Sequence, residues 1–125
     1  MLLIRTSVKP SPIAGLGCFT DVFIPRGTEV WRKHAFDIVV TDEDIRWMPY
    51  EAAYSLKRFW YVHPMNGVRV LCCDNARYFN HSYDPNVSAT SPFVCYALRD
   101  TQAGEELTND YRELDIDFTP KELLT

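Results

Sequence analysis

Eight prolines and five glycines are scattered through these 125 residues, and that spacing limits every regular element to a short one. Proline lacks a donor N–H and glycine favours turns, so each marks a place where a strand or helix tends to stop. Between them lie runs rich in β-branched and aromatic residues, at 2–8, 17–23, 28–40, 58–63, 68–72, 93–99 and 105–109, which predict strands. A helical region is predicted in the middle. Thr41 can cap Asp42-Glu43-Asp44, acids that suit a helix N-terminus. Pro49 then either kinks this helix or opens a second one at its first position, running to about Phe59. Ala52, Ala53, Leu56 and Trp60 recur there at helical spacing. A final short helix is predicted from Thr119-Pro120, with Glu122 in its first turn. Many short strands with little helix predict a mainly β fold in one domain, residues 1–125.

Hydrophobic residues make up 46% of the chain, enough for one core and too many for a disordered tail. The net charge of −4 argues against a nucleic-acid binder that works through a basic face. The acids concentrate in residues 100–125, where eight stand against Arg112 and Lys121. Such a tail predicts attraction to a basic partner, such as a lysine-rich peptide. No apolar run reaches the ~18 residues of a membrane helix. The opening Met-Leu-Leu-Ile-Arg lacks a signal-peptide pattern, which predicts the cytosol or nucleus. Cys18, Cys72, Cys73 and Cys95 form no C-x-x-C pair and are expected to be free thiols. A zinc site uniting Cys72 and Cys73 with His34, His63 or His81 lacks ligand spacing, so no metal site is expected.

Three segments carry chemistry. In Ile13-Ala14-Gly15-Leu16-Gly17-Cys18-Phe19, two glycines one residue apart allow positive φ and close approach to a ligand. By itself this is compatible with a plain hairpin or bulge. The run from Asn75 to Asn86 contains Asn80-His81-Ser82 and Asp84-Pro85-Asn86, side chains that bond nearby backbone and can read a polar heterocycle. Ala103-Gly104-Glu105-Glu106-Leu107-Thr108-Asn109-Asp110-Tyr111 is a turn leading into a short strand that ends on tyrosine.

Taken together, in this order, the segments resemble the SET-domain protein lysine methyltransferases. Gly15-Leu16-Gly17-Cys18-Phe19 looks like the family's G-x-G-x-F signature, and Pro25-Arg26-Gly27-Thr28-Glu29-Val30 is similar to the turn that follows it. Residues 77–86 are similar to R-F-I-N-H-S-C-x-P-N, and Glu105–Tyr111 to E-E-L-T-F-D-Y. The resemblance spans about residues 4–112. It implies several small sheets with short helices, a variable insert at 31–70, a C-terminal flanking tail at 112–125, and a pseudoknot in which the last segment threads under a loop of the preceding one. Composition could not have suggested that threading.

The resemblance also implies S-adenosylmethionine as cofactor and a lysine of a basic protein as acceptor, whether a histone tail or a nucleoid or ribosomal protein. Tyr111 would be the catalytic residue, its hydroxyl orienting the amine and its ionised form favoured by the sulfonium. Gly15, Leu16, Gly17, Arg77, Tyr78, Asn80, His81 and Phe118 would form the cofactor site. Tyr61, Phe79, Asn109 and Tyr111 would line the lysine channel. Asp110 and Glu106 would support the loop. Two positions depart from the family pattern: Tyr83 replaces a cysteine that often binds zinc, and Asn109 replaces the Phe or Tyr that tunes methyl number. The length matches minimal viral and bacterial members, and a homodimer is expected as in the viral ones. The alternative reading is a SET-like module that binds peptide or cofactor without turnover. A hydrolase built on His81 is disfavoured, since neither a G-x-S-x-G elbow nor a cysteine-protease signature is present.

Overall fold

A computed structural model describes residues 1–119. The helix expected from Thr119-Pro120 lies outside the described residues. Strands β1 (Thr6–Pro10) and β2 (Leu16–Thr20) form an antiparallel hairpin in the register Thr6↔Thr20 to Pro10↔Leu16. Its loop closes because the Ser11 N–H donates to the Gly15 carbonyl at 2.8 Å, and Gly15 adopts φ 45°, a conformation that favours glycine. β3 (Glu29–Arg32) pairs with β8 (Val94–Tyr96). β4 (Ile38–Val39), β6 (Arg69–Leu71) and β5 (Trp60–Val62) form a three-stranded antiparallel sheet in the order β4-β6-β5. β7 (Asn80–His81) and β9 (Thr108–Asn109) pair in parallel.

The long 28–40 run therefore splits, because His34–Asp37 forms a turn closed by the Asp37 N–H on the His34 carbonyl. The central helical region is two helices, α1 (Asp42–Trp47) and α2 (Tyr50–Leu56). Thr41 and Asp44 cap α1 reciprocally, as a capping box. Pro49 is the N-cap of α2 rather than its first residue, and Trp60, expected on the helix, sits on β5. Neither helix buries a residue fully. The apolar spacing there is answered by half-burial of Ala52, Ala53 and Leu56, not by a core face.

The core joins the small sheets. Cys18 of β2, Val30 and Trp31 of β3, Val70 of β6, Phe79 and Leu107 pack in one cluster. Each large aliphatic or aromatic member contributes roughly 1.5–3 kcal/mol by leaving water. His63 is a satisfied core histidine, with Nε2 2.8 Å from the Ala89 carbonyl. The segment 105–109 runs against β2, through the Leu107 N–H on the Cys18 carbonyl and the Thr20 N–H on the Glu105 carbonyl. The 80–87 loop grips it from both limbs. On one side the Ser82 N–H donates to the Asn109 carbonyl; on the other the Asn86 amide donates to the Glu106 carbonyl and the Val87 N–H to that of Thr108. This is the threaded arrangement expected, and it brings residues 80–82 beside residues 109–111. Among the described residues, no helix is long and apolar enough to cross a membrane.

Candidate active site

Asp110 ends the threaded segment and starts a four-residue helix, α3 (Tyr111–Leu114), accepting from the Arg112 N–H at 2.9 Å. Asp110-x-x-Glu113 is a helix-start pattern in the sequence, masked by reading Asp-Tyr as a strand end. The cap sets Tyr111 as the first helical residue. From there its N–H donates to His81 Nδ1 at 2.9 Å and its hydroxyl to the Phe79 carbonyl. The tyrosine and the Asn80-His81 turn are thus locked together by two hydrogen bonds.

That geometry fixes the histidine tautomer. Nδ1 accepts, so it carries a lone pair, and burial lowers the imidazole's basicity, partly offset by Asp110. The proton therefore sits on Nε2, which is buried and has no partner among the described residues. A buried donor left unpaired costs roughly 1–3 kcal/mol, and a ligand acceptor would satisfy it. Three rings surround the imidazole: Tyr83 edge-on at 4.3 Å, Phe118 tilted 34° at 4.9 Å, and Tyr111 at 5.3 Å. Tyr83, where the family often has cysteine, is a neighbour the sequence reading did not place; the Arg112 guanidinium lies 4.7 Å from its ring centroid.

The glycine loop is stitched to the same turn. The Asn80 side-chain amide donates to the Ala14 and Leu16 carbonyls, at 3.0 and 3.2 Å, and to Glu106 Oε2 at 2.9 Å. Its nitrogen is therefore committed to the protein, and only its carbonyl oxygen remains for a ligand. Glu106 also accepts from the Ser11 hydroxyl. Gly17 is explained by that carboxylate: a Cβ would lie 2.8 Å from Glu106 Cδ. The expected close approach of a ligand is not needed to account for it. Around Gly15 there is open space, and Leu16 is exposed.

A cavity of about 130 Å³ opens beside Tyr111, lined among others by Trp31, Tyr61, Phe79, Asn109 and Phe118. All four residues assigned to the lysine channel line it. Of the residues assigned to the cofactor, Arg77 and Phe118 line it, while Gly15, Leu16, Gly17, Asn80 and His81 form the adjoining stitched turn. Tyr78 does not line the cavity but packs edge-on at 5.6 Å against Phe59, which does. Burial pushes the Tyr111 hydroxyl up to about 12, reinforced by Asp115 and Glu106. It raises Tyr61 further still. The protein's own surroundings thus favour the neutral phenol, and the ionised form expected of Tyr111 depends on the sulfonium of a bound cofactor. Burial also pushes the thiols of Cys72 and Cys95, both lining the cavity, up to about 12, so they behave as apolar filling. Asn109 donates its amide to the Val87 carbonyl at 3.2 Å, and its side-chain oxygen has no partner among the described residues.

The acids of the C-terminal third are mostly used internally. Asp100 accepts from the Arg26 N–H, Glu105 from that of Gln102, and Asp115 from those of Val62 and Asp117. Glu106 and Asp110 have the roles given above. Only Glu113 and Asp117 offer side chains without a polar partner among the described residues; only Asp110 pairs with a cation, Arg112, and the acids that accept backbone N–H groups keep their charge.

A sequence profile described as the SET domain matches residues 15–112. The fold is similar to a crystal structure from Plasmodium falciparum of a candidate histone methyltransferase, with TM-score 0.61 over 88% of this chain and 95% of that one; at 19% identity the likeness is one of fold. A search of curated proteins finds no match. Because the profile takes in everything from the end of the β1–β2 turn through the threaded segment to the start of α3, this chain belongs to the SET-domain family.

Proposed function

We propose that the protein is a methyltransferase that moves a methyl group from S-adenosylmethionine to a lysine side chain of a protein, with histones among the candidate acceptors. The observation that carries this reading is the junction of two features at Tyr111. On one side is the stitched turn with a His81 Nε2–H that has no partner among the described residues, and on the other an aromatic cavity. The first fits a polar cofactor: His81 would donate to one of its acceptors, the Leu16 backbone and Asn80 oxygen would flank it, and the Phe118 ring would cover an apolar part. When bound, S-adenosylmethionine supplies an electrophilic methyl whose C–S bonding electrons return to sulfur as the new N–C bond forms.

The second feature fits the acceptor. A lysine has an ordinary pKa near ~10.4 and cannot attack while protonated. The desolvation that raises Tyr61 and Tyr111 disfavours any charge in the cavity, and so favours the free amine. Tyr111, neutral and donating to the Phe79 carbonyl, keeps a lone pair on oxygen that can accept an amine N–H and aim the nitrogen. The displaced proton leaves for water, and no side chain need act as a dedicated base. We also take the molecule to act as a homodimer, since α1 and α2 expose Trp47, Tyr50 and Tyr54. Elution as a single 14.5 kDa chain at micromolar concentration would contradict that part.

The test is incubation with methyl-labelled S-adenosylmethionine, mixed histones and a whole-cell extract, beside a Tyr111→Phe variant. Label on a protein band, lost in the variant, supports the proposal. Cofactor binding without label on any protein would instead favour a module that does not turn over.

A further inference from the structure

The cavity beside Tyr111 has a local charge opposite to that of the chain. Its lining includes Lys57, Arg58 and Arg77 against one acid, Asp115, in a protein of net charge −4. Lys57 and Arg58 are exposed, which puts them at the cavity's open end, and Arg77 is half-buried. Asp115 offsets one of the three at most: its Oδ1 accepts the N–H groups of Val62 and Asp117, each at 3.1 Å, and it makes no ion pair among the described residues. None of the three cations has a carboxylate partner among the described residues.

Their positions are nevertheless held. The Arg58 and Arg77 guanidinium carbons lie 4.6 and 5.1 Å from the centroid of the same ring, Phe59. The Lys57 ammonium is 5.3 Å from that of Tyr54. Arg77 commits only Nε, to the Cys72 carbonyl at 3.0 Å. Stacking on an aromatic face restrains a guanidinium while leaving its N–H edge available, and that edge matches a carboxylate. Bringing a strongly basic peptide to this opening would place like charges together with only Asp115 to offset them.

We propose that Lys57, Arg58 and Arg77 form a carboxylate-reading rim, so that the protein selects lysines flanked by an acidic side chain. The inference rests on the proposed function, in which the acceptor lysine enters this cavity, and it replaces the expectation of a purely basic partner. Asp or Glu beside the lysine would pair with the rim while the lysine passes inward to Tyr111.

The test is binding, independent of turnover. Fluorescent peptides with one lysine, identical except for Glu or Arg at the flanking positions, are titrated onto the intact protein by anisotropy. The Glu peptide is expected to bind about tenfold tighter at low salt, with the margin shrinking as salt rises. A Lys57→Glu, Arg58→Glu double variant, changed only at exposed positions, is expected to reverse the preference. Its affinity for S-adenosylmethionine, measured by calorimetry, should stay unchanged. Equal or tighter binding of the Arg peptide, or no binding of either, overturns the rim. So does a variant that loses S-adenosylmethionine while keeping the peptide preference, since the cations would then hold the cofactor's carboxylate. Selective binding of the Glu peptide without methyl transfer would refute the enzyme reading and leave the rim standing.

Discussion

Replacing Asp110 should separate what holds Tyr111 in place from what Tyr111 does. Asp110 is buried and caps α3 through the Arg112 N–H at 2.9 Å. Its carboxylate also pairs with the Arg112 side chain, but that guanidinium is exposed to solvent and the pair adds little to stability. Losing an N-cap costs about 1 kcal/mol. At ~2.1 cal/mol/K per residue, 125 residues have an unfolding entropy near ~0.26 kcal/mol/K, so Asp110→Ala should lower Tm by about 4 °C. Asp110→Asn keeps a capping oxygen and should lower it by less than half of that. The Arg112 hydrogen bond holds the Asp110 carboxyl below the ordinary carboxylate range. A depressed folded-state pKa gives stability that is present above the unfolded value of ~3.9 and is lost as pH falls through the folded value. The parent's advantage over Asn should therefore vanish in strong acid. Thermal unfolding by circular dichroism across pH reads all three effects. Equal Tm for the Ala variant and the parent near neutrality would refute the cap as the device that seats Tyr111.

Other consequences can be checked separately. Gly17→Ala puts a Cβ 2.8 Å from Glu106 Cδ and 3.1 Å from Ser11 Cβ, so it should cost about 1–3 kcal/mol in denaturant melts. Gly15→Ala meets only backbone strain at φ 45° and should cost about 1 kcal/mol. With Tyr111 pushed up to about 12, an ultraviolet titration of the ligand-free protein should show no ionisation of this tyrosine below about pH 10. The sign for stability is the reverse of Asp110: the neutral phenol's contribution is present below pH ~10 and is lost as pH rises toward 12. Unfolding melts from pH 9 to 12 on the parent and Tyr111→Phe should diverge in that direction. Asn109→Ala removes an acceptor and enlarges the cavity, so mass spectra of the product should shift toward more methyl groups per lysine.

The Asn-His-Ser and Asp-Tyr segments were legible because their residue types are hard to place for folding alone, and the structure joins them through His81 and Tyr111. The threading that joins them was not legible from local signals. It depends on Asn86, Val87 and Ser82 gripping the 106–109 backbone, contacts between segments some twenty to thirty residues apart whose partners no periodicity specifies. The G-x-G pattern does not say what packs against Gly17; among the described residues the Glu106 carboxylate occupies the place of a Cβ. Strand runs were overestimated at 28–40 and 105–109 because β-branched residues also suit extended loops. Lys57 and Arg58 carry no motif in the sequence, and only the fold brings them to the same cavity as Arg77.

The most direct test of the central claim is tandem mass spectrometry of an acceptor protein after incubation with S-adenosylmethionine, comparing the parent with Tyr111→Phe. The account predicts methyl groups on a lysine side-chain nitrogen, reduced at least ~100-fold in the variant while its fold and cofactor binding persist, a loss of roughly 2.7 kcal/mol in transition-state stabilisation. Methylation of another residue type, or undiminished lysine methylation by Tyr111→Phe, would contradict it.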